Sequence, residues 1–421
     1  AFKPSLISRA FMLLCISFFA ALGTAPLIAH YFHMISLIQI ISNLFFIPLI
    51  GFIILPSGLA ALIFFPLIPG LSAWIIHMAH YLMSACIRFS EIISAIPFSW
   101  IRVMAFDISE ILAAYMLMFL TYTGIKKQKK TFGIIFILLV ILFINIFSKS
   151  SPLDVPKNKM LITLLDVGQG NSGLIETAQG QRILVDGGGF PGSSTFDTGK
   201  FIIAPFLWQK KIDTLDLVIL THPESDHLKG LLYILENFEV HKLIKNTDHT
   251  YLASYQKMIE ICEKKKISIV EISDISKSVF IGDTQLFFPS RANSLSPNNL
   301  NNNSLVFKLS RGNFSMLFPG DILESREKQL ASLYGDKLHS NILLSPHHGS
   351  LSSSSRQFLE NVRPERVIVS CGRNNSYNFP HAEVLKRYNN INSRIFRTDL
   401  DGAVFILSDG KTYTITSYGE R

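Results

Sequence analysis

Thr221-His222-Pro223-Glu224-Ser225-Asp226-His227 is the stretch on which the fold turns. Two imidazoles and two carboxylates fall within six residues of one another, between an apolar run, Leu215 to Leu220, and a helix-like apolar stretch, Leu231 to Phe238. A turn that leaves a buried strand can fold several neighbouring side chains towards one point, and a mixed imidazole and carboxylate set suits Zn²⁺ or Mn²⁺. Histidines that merely cap the next helix are the competing reading, and the rest of the chain decides against it.

Working outward, the same pattern recurs. Met160 to Leu165 reads as a strand ending in Asp166-Val167-Gly168-Gln169-Gly170, and Arg182 to Val185 as a strand ending in Asp186-Gly187-Gly188-Gly189. Glycine-rich turns let backbone approach a ligand closely. Phe314 to Phe318 closes on Pro319-Gly320-Asp321, and Asn341 to Leu344 on Ser345-Pro346-His347-His348-Gly349-Ser350. A single carboxylate or histidine mostly caps or solvates. Three such clusters at successive strand ends point to a metal centre.

Composition divides the chain. No Asp, Glu, Lys or Arg occurs between Arg9 and Arg88, which no water-facing surface sustains. Apolar segments Phe11 to Ala29, Leu37 to Phe65, Leu71 to Ile87, Ile108 to Thr123 and Thr131 to Ser148 are candidate membrane spans at roughly 20 residues each. Pro48 and Pro56 in the second predict a kinked, broken or re-entrant segment. Arg88 to Trp100 mixes charged and apolar residues and reads as a helix lying at the interface. His30, His33, His77 and His80 read as interfacial or packed side chains. From about residue 152 charges reach ordinary density, which predicts a membrane domain at 1–150 and a soluble domain at 151–421. The basic run Lys126 to Lys130 belongs in the cytoplasm by the positive-inside rule, so after one more span the soluble domain lies on the outer side of the membrane.

The net charge of +8 sits mostly in the membrane half, where nine Lys and Arg face three acids, leaving +2 for residues 151–421. A charge-driven nucleic-acid binder is therefore excluded for the soluble half, and DNA affinity there must come from local patches or bound metal. Cys15, Cys86, Cys262 and Cys371 form no disulfide framework or Cys-x-x-Cys zinc site. The chain opens at Ala1, close to its first apolar segment, and reads as a fragment of a longer protein.

These motifs resemble the metallo-β-lactamase superfamily, an αββα sandwich marked by His-x-His-x-Asp-His, a later bridging Asp and a last His. Asp166-Val-Gly-Gln-Gly170, Asp186-Gly-Gly188, Leu317-Phe-Pro-Gly-Asp321 and His347-His-Gly-Ser350 are similar, more narrowly, to the β-lactamase-like domain of ComEC-type competence proteins. Ala25-Pro26, Tyr31-Phe32-His33, Asn43, Pro48 and Leu55-Pro56 resemble the end of that family's membrane domain. The resemblance implies a chain that lacks the family's first helices and OB-fold domain. It implies His222, Glu224, Asp226 and His227 as a first ligand cluster, Asp321 as the bridging carboxylate, and His347 or His348 as the last ligand. Asp186 and Asp166 would orient ligands from behind, and Asn303, Ser304, Ser350 and His381 are candidate substrate contacts. Two divalent ions, Mn²⁺ or Zn²⁺ with Mg²⁺ a further choice, would activate a shared water held by Asp226 for attack on a phosphodiester.

The function implied is a multi-pass component of DNA uptake in the bacterial inner membrane. It would act with other competence proteins and lipid, importing one strand while the outer domain hydrolyses the other. The alternative is a channel with a catalytically degenerate DNA-binding or scaffold domain. Several departures bear on that choice. Glu224 stands where the superfamily has a second His, and no histidine lies between His249 and His339, where Asn301-Asn302-Asn303-Ser304 stands instead. Asn171 and Phe379 replace an expected acid and an expected His. Ser290 to Ser304 as a whole reads as a solvated linker.

Overall fold

The strand expected before the Thr221 turn forms at Leu217–Leu220, with all four residues buried. In this computed structural model, residues 6–127, 155–190, 192, 196–289 and 299–420 are described. The chain divides into two compact units, Ala1–Pro152 with Trp208–Lys211, and Leu153–Leu207 with Ile212–Arg421.

The first unit is helical: α1 (Leu6–Phe32), α2 (Gln39–Leu49), α3 (Leu55–Phe64), α4 (Pro69–Ser94) and α5 (Ile108–Lys127), with a short ribbon pairing β1 (Met34–Ser36) to β2 (Trp100–Arg102). Among the described residues, three stretches are long and apolar enough to cross a membrane, Phe11–Phe32, Gln39–Phe64 and Pro69–Ser94, and Ile108–Gly124 is a shorter apolar helix. Side chains such as Phe52 (79% exposed) and Leu62 face outward, an arrangement that lipid satisfies and water does not.

Two expectations are corrected. The Pro-containing second segment is neither broken nor re-entrant; it stays helical through a π-helical stretch at Ile50–Ile54, where Leu55 N–H reaches back to Ile50 O. The wider turn absorbs the missing N–H and the ring of Pro56 without interrupting the helix. Nor is Arg88 to Trp100 a separate interfacial helix. Nothing between Pro69 and Ser94 breaks α4, so Arg88 and Glu91 fall in its last turns and Pro97 follows its end. The span at Thr131 to Ser148, the boundary near 150–152 and the side chains of the basic run lie outside the described residues.

The second unit packs two sheets face to face. In chain order its strands are β3 (Met160–Leu164), β4 (Gly173–Glu176), β5 (Arg182–Val185), β6 (Thr214–Leu215), β7 (Leu217–Leu220), β8 (Glu239–Val240), β9 (Lys242–Lys245) and β10 (Ser268–Glu271). They continue as β11 (Ser278–Ile281), β12 (Thr284–Phe287), β13 (Phe307–Arg311), β14 (Phe314–Phe318), β15 (Ile342–Leu344), β16 (Arg366–Val369), β17 (Arg394–Arg397), β18 (Val404–Ser408) and β19 (Tyr413–Ser417). One sheet runs β10-β9-β7-β5-β4-β3-β18-β19 and the other β11-β12-β13-β14-β15-β16-β17. In each, one half is parallel and the other antiparallel.

Alternation along the strands builds the layers. Phe314, Met316 and Phe318 of β14 join Ile162, Val185, Ile219 and Phe307 in the core between the sheets. Leu317, Leu343, Val367 and Val369 point the other way, onto Leu330, Phe358, Val384 and Tyr388 of three outer helices. The helix Ser225–Asn237 covers the first sheet with Leu228, Leu231, Ile234 and Leu235. The unit is therefore an αββα sandwich, and the ends of β5, β7, β14 and β15 carry the residues singled out in the sequence.

Candidate metal centre

The turn after β7 places Asp226 and His227 in the first turn of the helix Ser225–Asn237, where exposed N–H groups favour an acidic side chain. His227 is wholly buried and its two ring nitrogens have different tasks. Nδ1 donates to Asp186 Oδ2 at 2.8 Å, and Nε2 lies 3.2 Å from Asp321 Oδ1. Asp186 stands at the end of β5 with φ +56 and also accepts from Thr221 N and Thr221 Oγ1, both at 2.8 Å. A carboxylate so anchored fixes the imidazole's tautomer and aims Nε2 inward.

From the other sheet come Asp321, after β14, and His348, after β15. His348 Nδ1 donates to Ser370 O at 2.9 Å, while its Nε2 lies 3.3 Å from both Asp226 Oδ2 and Asp321 Oδ2. Asp226, His227, Asp321 and His348 can each offer one ligand atom, all within 4.8 Å of one another. His227 Nε2, Asp321 Oδ1 and His348 Nε2 are buried and lack a hydrogen-bond partner among the described residues. Buried polar atoms left so on three of the four converging side chains fit a divalent cation.

The adjacent histidines separate. His347 is partly exposed, with Nε2 4.0 Å from Asp321 Oδ2, and stays outside the group that His348 joins. His222 is fully buried beside His227, with ring centroids 4.1 Å apart. Glu224 and His222 share a neighbour that the sequence offered but did not assign: with its amide turned so that the nitrogen faces them, Asn301 donates to Glu224 Oε1 at 2.9 Å and to His222 Nε2 at 3.3 Å. The stretch Asn301–Asn303 is a short 3-10 turn, not a solvated linker, and only 290–298 of the Asn- and Ser-rich segment lies outside the described residues.

Charges in this cluster are strongly interdependent. Burial and then His227 push His222 down to about 3, whereas burial followed by the charges of Asp226 and Asp321 pushes Glu224 up to about 7. For Asp226, burial acts upwards, but the His348 ring 3.3 Å away and the charge of His227 prevail and hold it at about 2. Burial opposes protonation of His348, and the carboxylates of Asp321 and Asp226 overcome it, raising the ring to about 10. Without metal, protons on His227 and His348 take the place of a cation against Asp226 and Asp321.

The remaining candidates lie around this group. Asp166 accepts from Gly168 N at 3.1 Å within its own turn. The wall behind Asp226 is Gly170, where a Cβ would sit 1.9 Å from Asp226 O. Ser304 Oγ accepts from Asp321 N at 3.0 Å, and Asn303 Nδ2 donates to Asp248 Oδ1 at 2.9 Å. Ser304 thereby holds the turn that carries Asp321, and Asn303 is tied to Asp248. Ser350 Oγ pairs with Ser352 Oγ, and His381 caps the helix Ala382–Asn390 by accepting from Glu383 N. Thr221 and the Ser370 carbonyl are working parts that the sequence reading passed over. Thr221 lay in the quoted turn, but a carbonyl leaves no trace in residue identity.

Residues 2–128 match the family described as Competence protein, and residues 165–373 match the metallo-beta-lactamase superfamily. ComE operon protein 3 of Bacillus subtilis (strain 168) is 26% identical over 96% of this chain and 52% of its own length. Competence protein ComA of Neisseria gonorrhoeae is 29% identical over 61% of this chain and 34% of its own. The chain thus spans about a third to a half of the length of the curated relatives it matches. Among solved structures, the metallo-beta-lactamase fold protein YhfI from Bacillus subtilis is 12% identical, with a TM-score of 0.36 over 56% of this chain and 95% of that one.

Proposed function

The chain joins a competence-protein domain to a metallo-β-lactamase-superfamily domain, and from that premise we propose that it is part of an inner-membrane DNA-uptake protein whose second unit is a metal-dependent phosphodiesterase. The unit acts on the outer side of the membrane and cleaves the strand that is not imported. The observation that carries the hydrolytic reading is the convergence of Asp226, His227, Asp321 and His348, with three of their ligand atoms buried and unpartnered among the described residues.

A divalent ion held there, Mn²⁺ or Zn²⁺, supplies charge that polarises a phosphoryl oxygen and acidifies a water. The protein's part is positional. Asp186 and the Ser370 carbonyl fix the two imidazoles from behind. The side chain of Asp226 is 19% exposed, against 1% or less for the other three, so it is the group able to hydrogen-bond an attacking water from the open side. Gly170 lets the turn close against Asp226 O and keeps that carboxylate in register.

The test is to purify the chain in detergent, strip its metal, restore Mn²⁺ or Zn²⁺, and follow cleavage of single- and double-stranded DNA together with metal content. Metal-dependent cleavage lost in Asp226→Asn and His348→Ala supports the reading; a metal-loaded, folded protein that cuts neither substrate defeats it. That second outcome is what the scaffold alternative requires. Asn301 favours it, because its amide stands against Glu224 and His222 where a further metal ligand was expected.

A further inference from the structure

The loop Cys371–Pro380, between β16 and the helix Ala382–Asn390, carries two aromatic rings that the hydrolytic machinery does not use. It is firmly seated. His381 N donates to Gly349 O at 2.9 Å, and Gly349 (φ +81) approaches Pro380 so closely that a Cβ would meet it at 2.6 Å. Within the loop, Asn375 accepts from Phe379 N at 2.9 Å and donates to Gly372 O at 2.8 Å and Phe379 O at 2.6 Å. The shape of the loop therefore does not depend on the Tyr377 side chain.

The rings step outward from the metal cluster. His347 lies against Asp321; Phe379 meets His347 edge-on with centroids 5.7 Å apart; Tyr377 stacks on Phe379 at 5.5 Å with 19° between planes. Tyr377 is 48% exposed, and its hydroxyl has no hydrogen-bond partner among the described residues. Arg373 is exposed on the same loop. A flat ring pair beside a proposed phosphodiester-cleaving centre, on a rigid loop, offers a π face to whatever is attached to the phosphate.

We propose that the Tyr377–Phe379 stack is a platform for an unpaired nucleobase next to the scissile phosphate. This rests on the phosphodiesterase reading and adds the substrate class, a nucleic-acid strand with free bases in place of a small phosphate ester or an intact duplex. A base must leave its complement to lie on a ring, and every base has a π face, so the platform selects single strands without selecting sequence.

The experiment uses the whole chain in detergent after metal removal, so that no cleavage intervenes. Fluorescence anisotropy compares a labelled oligothymidylate with an abasic strand of the same length, for wild type, Tyr377→Leu and Tyr377→Trp. The leucine variant is expected to weaken binding of the base-bearing strand by about 5- to 150-fold and of the abasic strand by less than about twofold, with tryptophan restoring wild-type affinity. An equal loss on both strands, no loss on either, or wild-type binding indifferent to the bases overturns the proposal. Unchanged thermal midpoint and metal content in the variants exclude misfolding. Absence of cleavage under every metal would defeat the phosphodiesterase reading while leaving this binding comparison intact.

Discussion

His227 has carboxylates from different strand ends at both ring nitrogens: Asp186 accepts from Nδ1 behind, and Asp321 Oδ1 lies 3.2 Å from Nε2 in front. Asp186→Asn removes the charge that fixes the ring without touching the cluster and should weaken metal binding about 10- to 100-fold, read by competition with a chelating dye. His347→Ala should leave that affinity within about threefold, whereas His348→Ala should abolish tight binding. The sequence could not separate these neighbours because both take left-handed backbone, with φ of +49 and +55, and only the folded turn decides which ring points inward. Asp226, His227 and Asp321 of the converging cluster were legible as candidates, since a carboxylate or imidazole at a strand end announces itself. Asn301 was legible as a departure but not as a partner.

Glu224 gives a pH signature in the metal-free protein. Its carboxyl is raised from 4.5 to about 7 in the fold, so the folded state holds a proton that the unfolded state has released over that interval. Wild type accordingly loses stability relative to Glu224→Gln as pH rises from about 4.5 to 7, and the gap stays constant above. Thermal midpoints measured at pH 4 and 8 under chelation check this. A gap that is the same at both pH values would contradict it.

Among the elements, the turn after β3 owes its glycine to a neighbour in space. At Gly170, φ is +104 and a Cβ would overlap the backbone oxygen of Asp226. Gly170→Ala should cost on the order of 3 kcal/mol of stability in chemical denaturation and loosen metal binding together with it. The glycine-rich turns and the strands were readable from period-two patterning and turn residues. The continuous helix through Pro48 and Pro56 was not, because a π-helical turn depends on neighbouring carbonyls that no pattern of side chains records. The length of α4 was misread for a simpler reason: two charged residues near its end look like a change of environment, yet charge does not interrupt a helix, and α4 runs on to Ser94, shortly before Pro97.

Over the whole molecule, charge is divided as composition indicated, with +6 of the net +8 in residues 1–150. Nucleic-acid binding by the second unit should therefore respond weakly to salt. The logarithm of affinity for single-stranded DNA against that of salt concentration should fall no more steeply than about −2, and a slope of −5 or beyond would show a basic surface that net charge conceals. The two-unit organisation and the αββα class were legible because hydropathy changes abruptly and strand ends repeat one chemistry. The pairing of β18 with β3, which joins the last part of the chain to the first strand of the sandwich, was not.

That pairing, with ligands drawn from both sheets, sets an order of events. Asp226 and His227 follow β7, Asp321 follows β14 and His348 follows β15, while the sheet bearing the first two is completed only by β18 and β19. During synthesis the four donors cannot meet until the ribosome has delivered His348, and their frame is unfinished until the final strands emerge. On the metal-dependent reading proposed above, a chain that stops short of these strands leaves the centre unbuilt, and metal uptake reports that the domain has finished folding.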